Sequence, residues 1–171
     1  MDGQRVWFER TFGVGTPPTS LPEIVERLRG TPARLVERAG GLERSLLTTR
    51  IDGSWSIQEQ VGHLMDLESL WAGRVEDLME GRPQLRPTDL ENRATWDASH
   101  NDVPVGELLA GFDRERAGFM ARVESLTHDD LARTALHPRL LQPMTVVDLC
   151  FFVAEHDDHH LARITSIRRM L

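Results

Sequence analysis

Two histidines set four residues apart lie in the stretch Phe151-Phe152-Val153-Ala154-Glu155-His156-Asp157-Asp158-His159-His160-Leu161. On a helix, residues so spaced project from the same side about one turn apart, so His156 and His160 form half of a metal site. They share an apolar stripe with Val146, Leu149, Val153, Ile164 and Ile167, which points both rings inward. Burying two imidazoles side by side costs a few kcal/mol unless each finds a partner. One divalent cation meets that need for both, and imidazole suits Zn, Ni, Cu or Fe.

The neighbouring residues narrow the chemistry. The pair sits within His156-Asp157-Asp158-His159-His160, without the glutamate of the H-E-x-x-H zinc proteases. Nor does a Glu stand three residues before either histidine, as carboxylate-rich di-iron bundles require. What remains is a mononuclear site completed from another helix. His63 is the best-placed third ligand, at the edge of a second helical stripe. His100, His128 and His137 fall in loops or turns, and His159 faces roughly 100° away from His160.

The elements that must position these residues are legible as helices. Ser20-x-x-Glu23 reads as a capping box opening a first helix through Ile24, Leu28, Leu35 and Ala39, one helix kinked at Pro32, with Gly40-Gly41 ending it. Ser56-x-x-Glu59 caps a second from Ile57 to about Glu80, striped by Val61, Leu64, Trp71, Val75 and Leu78. Glu68 falls inside that apolar arc and needs a partner, an Arg or a metal, unless it marks an exposed bundle end. A third helix runs from about Val105 to Leu126, and its Gly106, Gly111 and Gly118 imply close packing or local weakness. Thr127-x-x-Asp130 caps a short turn, Leu136 to Pro143 is a loop, and Thr145-x-x-Asp148 opens the last helix, Val146 to about Met170. No alternating strand pattern is present. The fold class is therefore all-α, a four-helix bundle in a single domain over 1–171.

Two segments lie outside the helices. Residues 1–19, with Val6, Trp7, Phe8 and Phe12 followed by Gly and Pro, read as an arm on the body. The long connection 82–104 between the second and third helices, in which a cap-like Thr88-x-x-Glu91 suggests a short helix, is of the kind that covers or lines a functional site. In it, Trp96 and His100 read as a packed aromatic and a solvated histidine, with ligand contact as the alternative.

Composition excludes several functions. All 20 basic side chains are Arg, so no lysine can form a Schiff base, and Tyr is absent as a general acid. A net charge of -7 argues against a nucleic-acid partner. No apolar run reaches the ~18–20 residues of a membrane span, and no basic-then-apolar leader opens the chain. A cytoplasmic location is expected, and the lone Cys150 fits a reducing compartment as a small core residue.

Trp55-Ser56-Ile57 through Val61-Gly62-His63-Leu64-Met65-Asp66, with Glu155-His156-Asp157-Asp158-His159-His160-Leu161-Ala162-Arg163-Ile164, resembles the DinB-like superfamily of metal-binding four-helix bundles. The nearest-looking branch holds bacillithiol and mycothiol S-transferases and proteins named as metal-dependent hydrolases. The resemblance covers most of the chain, including the His137-Pro138 loop. By position it implies three metal ligands at His63, His156 and His160, the set reached from helix faces. It implies one divalent ion, Zn or Ni, with a low-molecular-weight thiol as possible co-substrate, a small-molecule substrate and a homodimer.

A three-histidine site leaves positions open for water or substrate, as a catalytic metal needs. Such an ion makes bound water or a thiol nucleophilic at neutral pH. The expected function is attack by thiol or water on a small electrophile. Asp66, three residues after His63, is a candidate to orient a ligand ring or act as base, and His159 and Asp157 are candidates to support the ligands, with a solvated side chain the alternative for His159. The competing readings are a metal-binding bundle without catalysis, of stress or detoxification context, and a bundle whose histidines are merely core polar residues.

Overall fold

The computed structural model describes residues 6–171. In chain order its helices are α1 (Leu21–Ala39), α2 (Arg44–Thr48), α3 (Ile57–Met79), α4 (Arg93–Asp97), α5 (Val105–Glu124), α6 (His128–Leu131) and α7 (Val146–Met170). The four long ones, α1, α3, α5 and α7, form the bundle. Helices α1 and α3 each pack on both α5 and α7. Thus α1 lies diagonally across from α3, and α5 from α7, so two connections cross the bundle.

Local chemistry explains most boundaries. Capping boxes close at Ser56/Glu59, Thr127/Asp130 and Thr145/Asp148, each satisfying otherwise orphaned amides. The expected box at Ser20 does not form. A 3-10 turn, Pro18–Ser20, runs into α1 and leaves Ser20 already helical at φ -84, ψ -12, so its hydroxyl cannot reach back. The short helix in the long connection starts at Arg93, later than Thr88, because Asp89 accepts the amides of Glu91 and Arg93. Helix α2 has no counterpart in the sequence reading. The loop between α6 and α7 includes a two-stranded antiparallel sheet, β1 (Thr134–Leu136) on β2 (Pro143–Thr145). Each strand buries one side chain, Ala135 or Met144, too few for a period-two pattern to show. Of the three α5 glycines only Gly111 is tightly packed, against Met65; a Cβ on Gly106 or Gly118 would meet nothing within 4 Å.

The core has two apolar clusters, one around Leu28, Trp71, Phe119 and Val153, the other around Leu35, Leu64, Phe112 and Leu161. A buried polar network draws on all four long helices through Thr31, Glu68, Arg116 and Asp157, all essentially inaccessible to solvent. Arg116 donates to Glu68 at 2.6 and 3.0 Å and to Asp157 at 2.6 and 3.1 Å, and Thr31 Oγ1 donates to Asp157 at 2.8 Å. Glu68 thus has the arginine its position demands. Helix α1 continues through Pro32, which has no N–H to offer the Leu28 carbonyl one turn earlier, and Arg116 Nη1 donates to that carbonyl at 3.1 Å. A gap in one helix ladder is thereby filled by the charged layer.

The arm packs as expected: Phe12 is buried, Trp7 stacks edge-on against Phe152 and His156, and Gly15 and Thr16 amides donate to Asp148 at the start of α7. Residues 1–5 of that arm lie outside the described residues. Among the described residues, no helix is long and apolar enough to cross a membrane.

Candidate metal centre

His63 on α3 and His156 and His160 on α7 converge in the bundle, each no more than 6% exposed. One ring nitrogen from each can be chosen so that all three lie within 4.8 Å of one another. Hydrogen bonds fix how two of the rings are protonated. The Thr95 hydroxyl donates its only proton to Asp66 Oδ2 at 3.0 Å, so it accepts at 3.0 Å from His63 Nδ1–H. Gln60 Oε1 accepts from His160 Nδ1–H at 2.6 Å. Both rings therefore present an Nε2 lone pair, the tautomer that outer hydrogen bonds impose on metal-bound imidazoles.

His156 supplies the test of fit. Its Nε2 lies 3.1 Å from His160 Nε2, and its buried Nδ1 has no partner among the described residues. Either placement of its proton leaves one buried nitrogen unsatisfied, and with the proton on Nδ1 two lone pairs face each other. A cation between the two Nε2 atoms replaces that lone-pair clash with two bonds, so the facing nitrogens fit the ion, and only His156 Nδ1–H stays without a partner among the described residues. Burial holds all three rings neutral: the His63 pKa falls to about 4, and those of His156 and His160 drop well below the ordinary value, driven further by neighbouring imidazoles.

The triad opens onto a cavity of about 490 Å³. Its walls include Trp7, Trp55, Trp71 and Phe152, and the long connection supplies Pro87, Leu90 and Trp96. The connection therefore lines the site. Trp96 is 43% exposed at the cavity wall, with Arg50 over its ring, and is not a packed core aromatic.

Several expectations shift. His100 is buried, not solvated: its Nε2 bonds Asp66 at 2.9 Å and its ring covers Gly62, where a Cβ would meet the imidazole at 2.3 Å. Glycine at 62 is thus required by close approach rather than by backbone freedom. Asp66 does not line the cavity. It holds Thr95, which holds His63, so it acts on that ring through a hydroxyl. Asp157 turns to Arg116 and Thr31, away from the histidines, and His159 is half-buried in the cavity wall against Trp7 and His160. Gln60 and Thr95 were missed. Gln60 stands one turn before His63, a signal that was available; Thr95 is 32 residues distant and carried none.

A helical bundle whose cavity ends on three neutral, buried imidazoles has a side-chain set that could hold a metal ion. The DinB superfamily profile matches residues 27–164, and the chain belongs to that superfamily. A protein of Geobacillus kaustophilus named "Putative metal-dependent hydrolase" is 29% identical over 157 residues, spanning 87% of this chain and 84% of the relative. YfiT of Bacillus subtilis, with the same description, is 27% identical over 149 residues, spanning 86% and 83%. The solved structure of YfiT, described as a probable metal-dependent hydrolase with an unusual four-helix bundle topology, matches at a TM-score of 0.80 and 26% identity, covering 95% of this chain and 94% of that one. The mycothiol-dependent maleylpyruvate isomerase shares the fold at a TM-score of 0.67 and 10% identity, over 83% of this chain and 59% of its own.

Proposed function

We propose that His63, His156 and His160 hold one divalent ion, Zn or Ni by ligand type, and that the chain is a metal-dependent enzyme of the thiol S-transferase or hydrolase kind. The observation that carries the reading is the pair of outer acceptors, Thr95 and Gln60, which turn two buried imidazoles lone-pair-first toward a third beside an open cavity. A structural zinc site is closed by four protein ligands; three ligands facing a cavity suit catalysis. The names of the relatives support the metal-dependent part.

When bound, the ion supplies the charge that makes water or a low-molecular-weight thiol a nucleophile near neutral pH. The chain's own residues do the rest. Trp7, Trp55, Trp71 and Phe152 give a small electrophile an apolar wall and exclude bulk water. His100 holds Asp66, and Asp66 holds Thr95 and through it the His63 ring. His159 lies half-buried in the cavity wall against His160 and Trp7, where burial keeps its imidazole neutral and able to hydrogen-bond a polar group of the substrate.

The test combines metal content and turnover. Protein purified without an affinity tag is expected to carry about one ion per chain, as a three-ligand site should. Conjugation of a thiol to a model electrophile, and hydrolysis of ester and amide substrates, are then compared in wild type and His156→Ala. Metal-free wild type that gains nothing from added Zn or Ni overturns the metal assignment. Bound metal with equal rates in both proteins overturns the catalytic one and leaves a binding bundle.

A further inference from the structure

One wall of the cavity carries polar groups that are all donors. Arg74, on α3 and 1% exposed, donates Nε to the Arg86 carbonyl at 3.2 Å, and its Nη2 has no partner among the described residues. Its Nη1 lies 3.2 Å from His137 Nε2. His137 Nδ1 accepts the amides of Arg139 and Leu140, both at 3.2 Å, so the ring's proton sits on Nε2. Nη1–H and Nε2–H therefore face each other, donor against donor. The other tautomer is worse, since Nδ1–H would oppose two amides. Arg139 Nη2 and Trp71 Nε1 are also buried without acceptors among the described residues, and all four residues line the cavity.

The local charge has the same sign. Asp77, the carboxylate that acts on Arg74, is already engaged by Arg86 through its amide at 2.7 Å and its guanidinium at 2.9 and 3.0 Å. Burial lowers the Arg74 pKa to about 10, with Arg139 and Arg86 adding to the effect. Burial, then Arg74 and Arg139, push His137 down to about 3. Buried donors and unbalanced cations of this kind cost free energy unless an acceptor comes to them.

We propose that Arg74, His137 and Arg139, with Trp71, form a subsite for the carboxylate of a small organic acid, the electrophile that the metal centre acts on. A carboxylate is planar, singly charged and acceptor-only, which matches a guanidinium fork beside one imidazole N–H. Trp71 bridges the two ends of the cavity: its ring lies 5.6 Å from that of His156 and 5.3 Å from the Arg74 guanidinium carbon. The Arg74 guanidinium carbon thus lies within about 11 Å of the centre of the His156 ring, a span that an anchored organic acid and a nucleophile at the triad can share. The subsite rests on the metal reading only for which end of the ligand reacts.

The test titrates the metal-loaded protein with three carboxylates, acetate, phenylacetate and benzoate, and with the neutral amide of each, following heat. Wild type is expected to favour at least one acid over its amide by about tenfold or more, as charge-assisted bonds in a buried site do. Arg74→Gln should erase the preference, and Arg139→Gln, at a half-buried position, should reduce it if Arg74→Gln fails to fold. His156→Ala should retain it. No preference in any pair overturns the subsite, as does a preference kept by both arginine variants. A preference lost in His156→Ala alone places the acid on the ion and also overturns it. Metal-free wild type that keeps the arginine-dependent preference upholds the subsite whatever becomes of the metal reading, which fails separately if added Zn or Ni neither binds nor raises turnover, so the two failures are distinct.

Discussion

Replacing Thr95 by valine removes one oxygen from the outer hydrogen-bond chain and leaves the side chain's shape nearly unchanged. That oxygen accepts from His63 Nδ1–H and donates to Asp66, each at 3.0 Å, at a residue 3% exposed. A buried donor left unsatisfied costs ~1–3 kcal/mol. The variant can meet that cost in two ways. It can keep the proton on Nδ1 and lose stability, or move it to Nε2, where it covers the lone pair needed for the ion. In either case metal affinity should fall ~10–100-fold, the usual consequence of losing an outer partner of a ligating histidine. That is ~1.4–2.7 kcal/mol, the same range as the hydrogen-bond estimate. Competition with a chromophoric chelator measures the affinity, and urea unfolding of the metal-free protein measures the stability. Thr95→Ser, which restores the hydroxyl, should recover most of the affinity. Wild-type affinity in Thr95→Val would refute the claim that Thr95 and Asp66 set the His63 ring.

Other outcomes follow from the same coordinates. Arg116→Met strands Glu68 and Asp157 in the core and should cost ~3–5 kcal/mol in urea unfolding, whereas also replacing both acids by leucine should restore much of it; equal stability of single and triple variants would contradict a coupled layer. In metal-free protein, His63, His137, His156 and His160 have folded pKa values below the unfolded ~6.5, so as pH falls the unfolded chain takes up protons first and stability is lost. From pH 6.5 to 5.5 the loss is ~1 kcal/mol for each ring, read as a drop in the urea midpoint; a flat profile would show that the rings are not held neutral. Cys150 is fully buried and its pKa is raised to about 12 by burial, so iodoacetamide at pH 8 should label it only on unfolding.

The long helices and the histidine triad were legible because both depend on periodicity within a helix. Apolar residues recurring every three or four positions announce the face that must be buried, and His63, His156 and His160 lie on or beside such faces. Glu68, out of place in its stripe, announced a partner before the partner was visible. Where the sequence reading failed, either backbone state or distance was responsible. Ser20 carries the letters of a cap without the extended backbone a cap needs, and the strand residues are too few to show alternation.

By itself the sequence determined the bundle class, the inward direction of the two α7 histidines and their need for a partner once buried, since a helix fixes which side chains share a face. Tertiary structure alone decided what surrounds them. It laid the long connection on α3, so that Thr95 and His100 meet residues some 30 positions earlier and His63 acquires its tautomer. It put Arg116 between Glu68 and Asp157, and Arg74 against His137, 63 residues apart. Such pairings depend on how separate segments pack, and no local spacing encodes a hydrogen bond between residues that only folding brings together.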